Sequence, residues 1–320
     1  MEYKTLMDNV KIPVLGIGTW KLVGDVFPDK SQDKKAIKIL REGIRLGMSH
    51  IDTAEIYANG HAEEITGKAI RPFKRKDIFI TTKVSPENLR FDDLIDSIRN
   101  SLKRLNLNFV DLYLIHWPNP NIPLKETMEA MEYAVDCGYT RFIGVSNFSV
   151  RLMRKAQSYT KKKIVANQVE YSLLYKDPQR DLLSYCQKNG IMLIAYTPLG
   201  HGKLTKPGFK LLDELALKYK KTQAQIALNW LISKRNVVTI PKTGKIEHLR
   251  ENFGAMGWRL THTDIERLDK ERFRLPYNSV RNLKRNALYF VQSHLWTNRL
   301  IMKSILPAVR KLYKRNIHIL

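Results

Sequence analysis

The feature that most constrains the fold is an alternation of short apolar runs with longer segments whose apolar residues recur at helical spacing. Eight runs have the length of buried strands, and they cover residues 14–18, 49–52, 78–83, 110–116, 142–146, 165–169, 191–196 and 237–241. Eight strand–helix repeats in roughly 250 residues predict an α/β fold of the (β/α)8 TIM barrel type. A doubly wound open sheet is the alternative, but Gly16 and Gly18 lack the third glycine of its phosphate-binding fingerprint.

The segments between the strands predict amphipathic helices, and a small β-hairpin is predicted ahead of the barrel. The helices are expected over residues 33–46, 61–70, 92–105, 124–137, 150–160, 178–189, 211–219, 224–233 and 246–256. The hairpin is expected over residues 4–14, with Asp8 and Asn9 at its turn. The chain is therefore predicted to form a barrel over residues 1–275 and a basic, helical C-terminal extension over residues 276–320.

Polar side chains end most of the predicted strands, namely Asp52, Lys83, His116, Ser146, Asn147, Gln168 and Tyr196. In a barrel the carboxyl ends of all strands meet at one face, where binding sites are built. A ring of polar residues at corresponding positions is hard to explain by packing. Together with Tyr57, which follows the second strand in a short turn, the Asp52, Lys83 and His116 side chains suggest a carbonyl-reducing site.

Longer motifs carry these residues. They are Gly16-Ile-Gly-Thr-Trp20, Ile51-Asp-Thr-Ala-Glu-Ile-Tyr57, Asp111-Leu-Tyr-Leu-Ile-His-Trp117, Ile143-Gly-Val-Ser-Asn-Phe148, Asn167-Gln168, Ala195-Tyr-Thr-Pro-Leu-Gly200, and Ile240-Pro-Lys-Thr243 followed by Glu251-Asn252. In these motifs the chain resembles the aldo-keto reductases over about residues 5–275, and its short loops resemble those of prokaryotic-type members. The resemblance implies NAD(P)H-dependent reduction of an aldehyde or ketone on a barrel, without metal. It also implies that Asp52, Tyr57, Lys83 and His116 form a catalytic tetrad.

The chemistry expected of this tetrad follows from the reaction. A carbonyl group that receives a hydride becomes an alkoxide, which needs a proton as it forms, and Tyr57 is the predicted general acid. An unperturbed phenol has a pKa near ~10, so a Lys83 ammonium is needed to lower it, with Asp52 orienting Lys83. His116 is expected to hydrogen-bond the carbonyl oxygen and fix its angle. The alternative is that the four residues form only an internal hydrogen-bonded network.

The resemblance also implies a set of cofactor-binding residues. Ser146, Asn147 and Gln168 are expected on the nicotinamide amide, with Tyr196 stacked on the ring face. Thr197, Leu199 and Gly200 are expected to begin a loop over the pyrophosphate, with packing as the alternative for Leu199. Lys242 and Thr243 are expected at the adenosine 2′-phosphate, and Glu251 with Asn252 at the adenine.

One cofactor position departs from the family pattern. His248 stands where many NADPH-dependent members have an arginine. Arginine is always charged and binds phosphate through two parallel hydrogen bonds, whereas histidine is often neutral at pH 7. Lys242 still favours NADPH, so we expect a weakened preference for NADPH and some use of NADH.

Two tryptophans are the expected substrate-binding residues. Trp20 and Trp117 are predicted to wall the pocket mouth with apolar surface, with burial in the core as the alternative. The loop at 118–123 and the loop after Tyr196 are short, which predicts an open pocket of broad specificity. The sequence does not choose among sugars, α-keto compounds and aldehydes.

The net charge of +24 is spread over the chain, with +15 in residues 1–274, but residues 275–320 are extreme for their length because they hold nine Lys or Arg and no Asp or Glu. Apolar residues interleave with these bases over 281–320, which predicts one or two basic amphipathic helices, broken near Pro307. Three roles are open: packing on the barrel or in an oligomer interface, peripheral contact with an anionic membrane, or closure of the substrate pocket. No nucleic-acid motif with the required spacing is present, so no nucleic-acid partner is expected.

The remaining sequence features concern the compartment and the class of protein. Cys137 and Cys186 form no disulfide framework, which favours a reducing cytoplasm. No secretory signal and no apolar run of about 18 residues is found. We expect a cytoplasmic carbonyl reductase, either free or peripheral to the membrane. A cofactor-binding regulatory subunit with little turnover is the alternative.

Overall fold

The computed structural model describes residues 1–7 and 9–273. Residues Met1–Pro118 and Ile122–Phe273 form one compact unit. The unit begins with a two-stranded antiparallel hairpin that joins β1 (Tyr3–Thr5) to β2 (Lys11–Pro13). The predicted hairpin is therefore present, although Asp8, one of the two expected turn residues, lies outside the described residues.

Eight parallel strands follow, and each pairs with its neighbours in chain order. They are β3 (Ile17–Gly18), β4 (His50–Asp52), β5 (Phe79–Val84), β6 (Val110–Ile115), β7 (Thr140–Ser146), β8 (Ile164–Glu170), β9 (Met192–Tyr196) and β10 (Val237–Thr239). The sheet closes on itself where Gly16 N donates to Thr239 O at 2.8 Å and Thr239 N donates to Val14 O at 2.9 Å. The fold is the predicted (β/α)8 barrel.

The strands are buried along their length because both of their faces are covered. Every residue of β5 and β6 is buried, with the barrel interior on one side and helices on the other. This double burial explains why apolar residues occupy successive positions in these strands instead of alternating with polar ones. Because every position in these strands is buried, a polar residue among them needs a specific reason to be there.

Ten helices lie within the described part of the chain. They are α1 (Asp33–Arg45), α2 (His61–Ile70), α3 (Phe91–Leu105), α4 (Leu124–Asp136), α5 (Val150–Gln157), α6 (Leu182–Lys188), α7 (Lys210–Tyr219), α8 (Gln223–Ser233), α9 (Ile246–Phe253) and α10 (His262–Lys270). The predicted helix at 178–189 begins later than expected, because Pro178 lies in a separate 3-10 turn. Helix α10 was not predicted, since it buries only Asp264 and Leu268 and so has little apolar periodicity.

The hairpin covers the amino ends of the barrel strands. Leu6 and Ile12 pack in one buried cluster with Phe79, Phe142 and Val165, which stand at or near the starts of their strands. The Lys4 ammonium fastens the hairpin by donating to the carbonyl oxygens of Ile232 at 2.9 Å, of Lys234 at 2.5 Å and of Val237. The carboxyl ends of the strands, where the polar residues were predicted to meet, lie at the opposite end of the barrel.

The predictions for the C-terminal extension fall on residues 274–320, which lie outside the described part of the chain. The amphipathic helix, its break near Pro307 and its proposed membrane contact therefore stay predictions. Within residues 1–7 and 9–273, none of the helices has the length and apolar character needed to cross a membrane.

Candidate active site

A buried ion pair joins the ends of two neighbouring strands. Asp52 ends β4 and Lys83 lies near the end of β5, and both side chains are almost completely buried. The Lys83 ammonium donates to Asp52 Oδ1 at 2.6 Å and to the Thr53 carbonyl oxygen at 2.8 Å. The other carboxylate oxygen accepts from Gln168 Nε2 at 2.7 Å. Each oxygen of Asp52 thus has a donor, which fixes the carboxylate in one orientation.

Burial and mutual attraction shift the pKa values of Asp52 and Lys83 in opposite directions. Desolvation raises the pKa of Asp52 and lowers the pKa of Lys83. The attraction between the two charges and the hydrogen bonds to Asp52 oppose these shifts. Because both groups keep short, charge-assisted contacts, we describe them as an ion pair with the proton on Lys83.

Tyr57 reaches the ion pair from the turn segment between β4 and α2. Its hydroxyl accepts a hydrogen bond from Lys83 Nζ at 3.3 Å. Ala58, Asn59 and Gly60 follow with positive φ angles of 49°, 53° and 86°. Left-handed backbone is costly for alanine, so tertiary contacts must hold it, and Ala58 N donates to the Asp25 carbonyl oxygen at 3.0 Å. This turn presents the phenol to Lys83.

His116 completes the cluster from the residue after β6. Its ring meets the Tyr57 ring edge-on, with centroids 5.5 Å apart and an interplanar angle of 75°. Burial, and then the nearby Lys83 charge, lower the pKa of His116 well below its usual value. The imidazole is therefore neutral near pH 7, and its one N–H can donate a hydrogen bond. The four residues of the predicted tetrad are thus brought together.

The residues expected at the nicotinamide form a connected network beside the tetrad. Ser146 Oγ donates to the Gln168 carbonyl oxygen at 2.9 Å, and Asn147 Nδ2 lies 2.9 Å from Ser146 Oγ. Asn147 Nδ2 also donates to the His116 carbonyl oxygen at 3.2 Å. The Tyr196 hydroxyl donates to Asn147 Oδ1 at 3.0 Å. These groups lie on the ends of β7, β8 and β9 and adjoin the ion pair through Gln168.

The expected pyrophosphate loop begins directly after β9. Thr197 and Gly200 have positive φ angles of 51° and 55°, and Gly200 N donates to the Thr197 carbonyl oxygen at 3.0 Å. A Cβ atom at Gly200 would lie 2.5 Å from the Leu174 side chain, so the chain passes closely there. Leu199 packs partly buried against the core, which gives it a structural role as well.

The residues expected at the adenosine phosphate lie after β10 and on α9. Lys242 is exposed, whereas Thr243 is buried and its hydroxyl accepts from Lys245 N at 3.1 Å. On α9, His248 is exposed, Glu251 is half-buried and Asn252 is buried. Desolvation, and then repulsion from the Lys21 and Lys35 ammonium groups, lower the pKa of Lys242.

Lys21 and Lys35 were missed at the sequence level. Lys21 follows Trp20 in the first motif, and its ammonium lies 2.7 Å from Asp25 Oδ2 and 4.7 Å from the Trp20 ring centroid. Lys35 belongs to α1, where it looks like any exposed lysine of an amphipathic helix. Only the closed barrel brings α1, the loop after β3 and the loop after β10 together.

The two predicted substrate residues lie at the ends of different strands. Trp20 is 40% exposed and meets His201 edge-on, with ring centroids 6.2 Å apart. Trp117 is half-buried and directly follows His116. His201, from the loop after β9, is a further aromatic residue at this rim that the sequence did not single out. The exposure of Trp20 rules out the alternative that it is buried in the core.

Comparisons with known proteins agree with this geometry. The model of the aldo/keto reductase family matches residues 14–272. The chain is 35% identical to methylglyoxal reductase YeaE of Escherichia coli, an alignment that covers 82% of this chain and 92% of that protein. It is 34% identical to glyoxal reductase of Bacillus subtilis, over 82% of this chain and 90% of that protein.

Solved structures agree as well. A thermostable aldo-keto reductase crystallised with the inhibitor epalrestat superposes with a TM-score of 0.81 at 49% identity, over 84% of this chain and 99% of that one. An aldo-keto reductase from Klebsiella pneumoniae in complex with NADPH superposes with a TM-score of 0.77 at 33% identity, over 87% of this chain and all of that one. The chain belongs to the aldo/keto reductase family, whose members reduce carbonyl groups with a nicotinamide cofactor, and NADPH is its expected cofactor.

Proposed function

We propose that this chain reduces small aldehydes that carry a neighbouring carbonyl group, such as methylglyoxal, with Tyr57 as the proton donor. The observation that carries the proposal is the hydrogen-bonded chain from Asp52 through Lys83 to the Tyr57 hydroxyl. The substrate class is supported by the relatives, several of which are named methylglyoxal or glyoxal reductases.

The residues around the tetrad fit NADPH. Its amide can meet the polar network of Ser146, Asn147 and Gln168, and its ring can stack on Tyr196. Lys21 and Lys35 repel the Lys242 ammonium, so an anionic phosphate beside Lys242 would relieve that repulsion. Thr197, Leu199 and Gly200 would flank the pyrophosphate, and Glu251 with Asn252 the adenine. Bound NADPH supplies the hydride.

The residues of this chain transfer the proton and orient the substrate carbonyl group. Tyr57 donates its hydroxyl proton to the substrate oxygen as negative charge builds there. Lys83, 3.3 Å away, stabilises the phenolate that remains, and Asp52 holds the ammonium in place. The neutral His116 imidazole donates a hydrogen bond to the same substrate oxygen and fixes its direction. Solvent then returns a proton to Tyr57.

The test is turnover of a matched aldehyde panel, followed as NADPH oxidation by stopped flow. Methylglyoxal and propanal are the informative pair, since they have the same carbon chain and only methylglyoxal carries the second carbonyl. We expect a higher kcat/KM for methylglyoxal. Equal values for the two would contradict the substrate class, and NADPH binding without turnover of any aldehyde would support the regulatory alternative.

We also propose that the extension at 281–320 makes peripheral contact with anionic membranes. The support is its nine basic residues without one acid, interleaved with apolar residues. Deletion of residues 281–320 is expected to leave carbonyl reduction intact, because all eight strand–helix units lie upstream. It should abolish sedimentation with phosphatidylserine vesicles, which in the full chain weakens with salt. An insoluble or inactive truncated protein would show that the extension is packed structure.

A further inference from the structure

A cleft of about 420 Å³ lies between α2 and α3, away from the tetrad. Its lining comes mainly from the last turns of the two helices and from the residues that follow them, together with Glu64 from the first turn of α2. In a barrel each helix runs back from the carboxyl end of one strand to the amino end of the next. The cleft therefore lies at the end of the barrel opposite the active site, and the proposed reaction does not use it.

Four cationic side chains line this cleft: Lys68, Arg71, Lys103 and Arg104. Glu64 is the one carboxylate in the lining, and it also contacts His61 Nδ1 at 2.9 Å. Within residues 1–7 and 9–273, Lys68, Arg71 and Lys103 form no ion pair with a carboxylate, and all three are exposed. Even when Glu63, the partner of Arg104, is counted with Glu64, the cleft keeps an excess of two positive charges.

The cleft is pre-formed rather than a chance gap between flexible lysines. Arg104 Nε donates to the buried Glu63 carboxylate at 2.6 Å, and Arg104 Nη2 donates to Ser101 Oγ at 3.2 Å. These two bonds hold the guanidinium group in place at one wall. Gly67 brings the helices close together, since a Cβ atom there would lie 2.4 Å from the Leu105 carbonyl oxygen. The position of Arg104 and the spacing of the helices at Gly67 are therefore set by contacts within the protein.

Basic residues in the last turn of a helix complement its dipole, and this accounts for one or two cations on each helix. It does not explain why these cations, together with Arg71 after α2, line one common concave space. Lysine and arginine groups arranged in this way match the oxygens of phosphate, which arginine can bind through two parallel hydrogen bonds. The volume falls within the range of about 300–1,000 Å³ that is usual for small-molecule sites.

We propose that the α2–α3 cleft binds a small soluble anion that carries more than one phosphate group. Lys68, Arg71 and Lys103 supply the adaptable contacts from the rim, and Arg104 supplies the fixed one from the wall. The excess of positive charge favours a multiply charged anion over a single carboxylate.

The test is isothermal titration of the full chain, saturated with NADP⁺ to block the cofactor phosphate sites, with tripolyphosphate as the probe. The variant combines Lys68→Ala, Arg71→Ala and Lys103→Ala. The control removes the same charges from exposed positions outside the cleft, by Arg151→Ala, Lys155→Ala and Lys188→Ala. Lys155 and Lys188 also stand in last turns of helices, so the control reproduces any helix-dipole effect.

We expect the cleft variant to raise the Kd for tripolyphosphate by at least ~10-fold, and the control variant to change it far less. Thermal unfolding midpoints close to wild type in both variants show that the fold is kept. Equal weakening in the two variants would overturn the proposal, because it would show general charge attraction. Binding of phosphatidylserine–phosphatidylcholine vesicles through the same three residues, without tripolyphosphate binding, would overturn the assignment to a soluble anion.

Discussion

The tetrad and the lysines around Lys242 belong to the same candidate site, but they are built in opposite ways. Asp52 and Lys83 are buried, oppositely charged and held by hydrogen bonds of 2.6–2.8 Å. Lys242 is exposed and is repelled by two cations. Charges that must orient a proton donor are paired within the protein before the substrate binds. Lys242, which we propose to bind an anion, instead has two lysines as electrostatic neighbours.

The difference predicts where substitutions affect the chemical step and where they affect binding. Tyr57→Phe is expected to lower kcat for aldehyde reduction by at least ~10²-fold, the usual scale for a lost general acid, and to leave the Kd for NADPH nearly unchanged. Steady-state kinetics and a fluorescence titration with NADPH measure the two quantities.

Tyr113→Phe is the matched control, because the buried Tyr113 hydroxyl on the neighbouring strand β6 has no hydrogen-bond partner among the described residues. That variant is expected to keep kcat within a few-fold of wild type. A Tyr57→Phe protein with near-native kcat would remove Tyr57 from the role of proton donor.

Lys83→Met is expected to lower kcat about as far as Tyr57→Phe does, and also to destabilise the barrel. The variant leaves the Asp52 carboxylate buried without its cation, which typically costs about 3–5 kcal/mol. Urea unfolding measures this loss. The double variant Asp52→Asn, Lys83→Met should regain stability but not activity. If the double variant were as unstable as Lys83→Met, the buried charge would not be the cause.

At the other region, Lys242→Met is expected to lower the preference for NADPH over NADH by about tenfold, with little effect on kcat. The pH dependence follows from the lowered pKa of Lys242 in the free protein. Phosphate raises that pKa on binding, so the NADPH advantage is complete while free Lys242 is protonated. It then falls as the pH rises through the free-protein pKa, below the ~10.4 of an ordinary lysine.

The ratio of NADH to NADPH dissociation constants, measured across alkaline pH in wild type and in Lys242→Met, checks this expectation. In Lys242→Met this ratio of dissociation constants should change less with pH than in wild type. A wild-type ratio that stays constant until ordinary lysines titrate would contradict a phosphate contact by Lys242.

The smallest effect is expected from His248→Arg, which should strengthen the preference for NADPH. A charge-assisted contact is worth roughly 1.5–3 kcal/mol at most, and less at an exposed position such as this one. Dissociation constants of the two cofactors measure the change. If His248→Arg left the NADPH preference unchanged, the side chain at 248 would point away from the phosphate. The phosphate would then be left with Lys21, Lys35 and Lys242 as its contacts.

Most of the barrel could be predicted because each strand and helix carries its own local pattern. Eight of the nine expected helices begin within one residue of the observed start, although several end earlier. Helix α10 could not be predicted, since only two of its nine residues are buried and they do not form an apolar stripe at helical spacing. The tetrad was predictable because strand ends in a closed barrel must converge.

The sequence by itself determined the order of the elements, the barrel class and the identity of the strand-end residues, because periodicity and strand-end polarity are local properties. Tertiary structure alone decided three pairings of residues. Gln168 bonds Asp52 across 116 residues of sequence, Lys21 and Lys35 come near enough to Lys242 to repel its charge, and Arg104 and Lys68 line the same α2–α3 cleft. No local pattern encodes such pairs, because they exist only after the sheet closes and the helices pack against it.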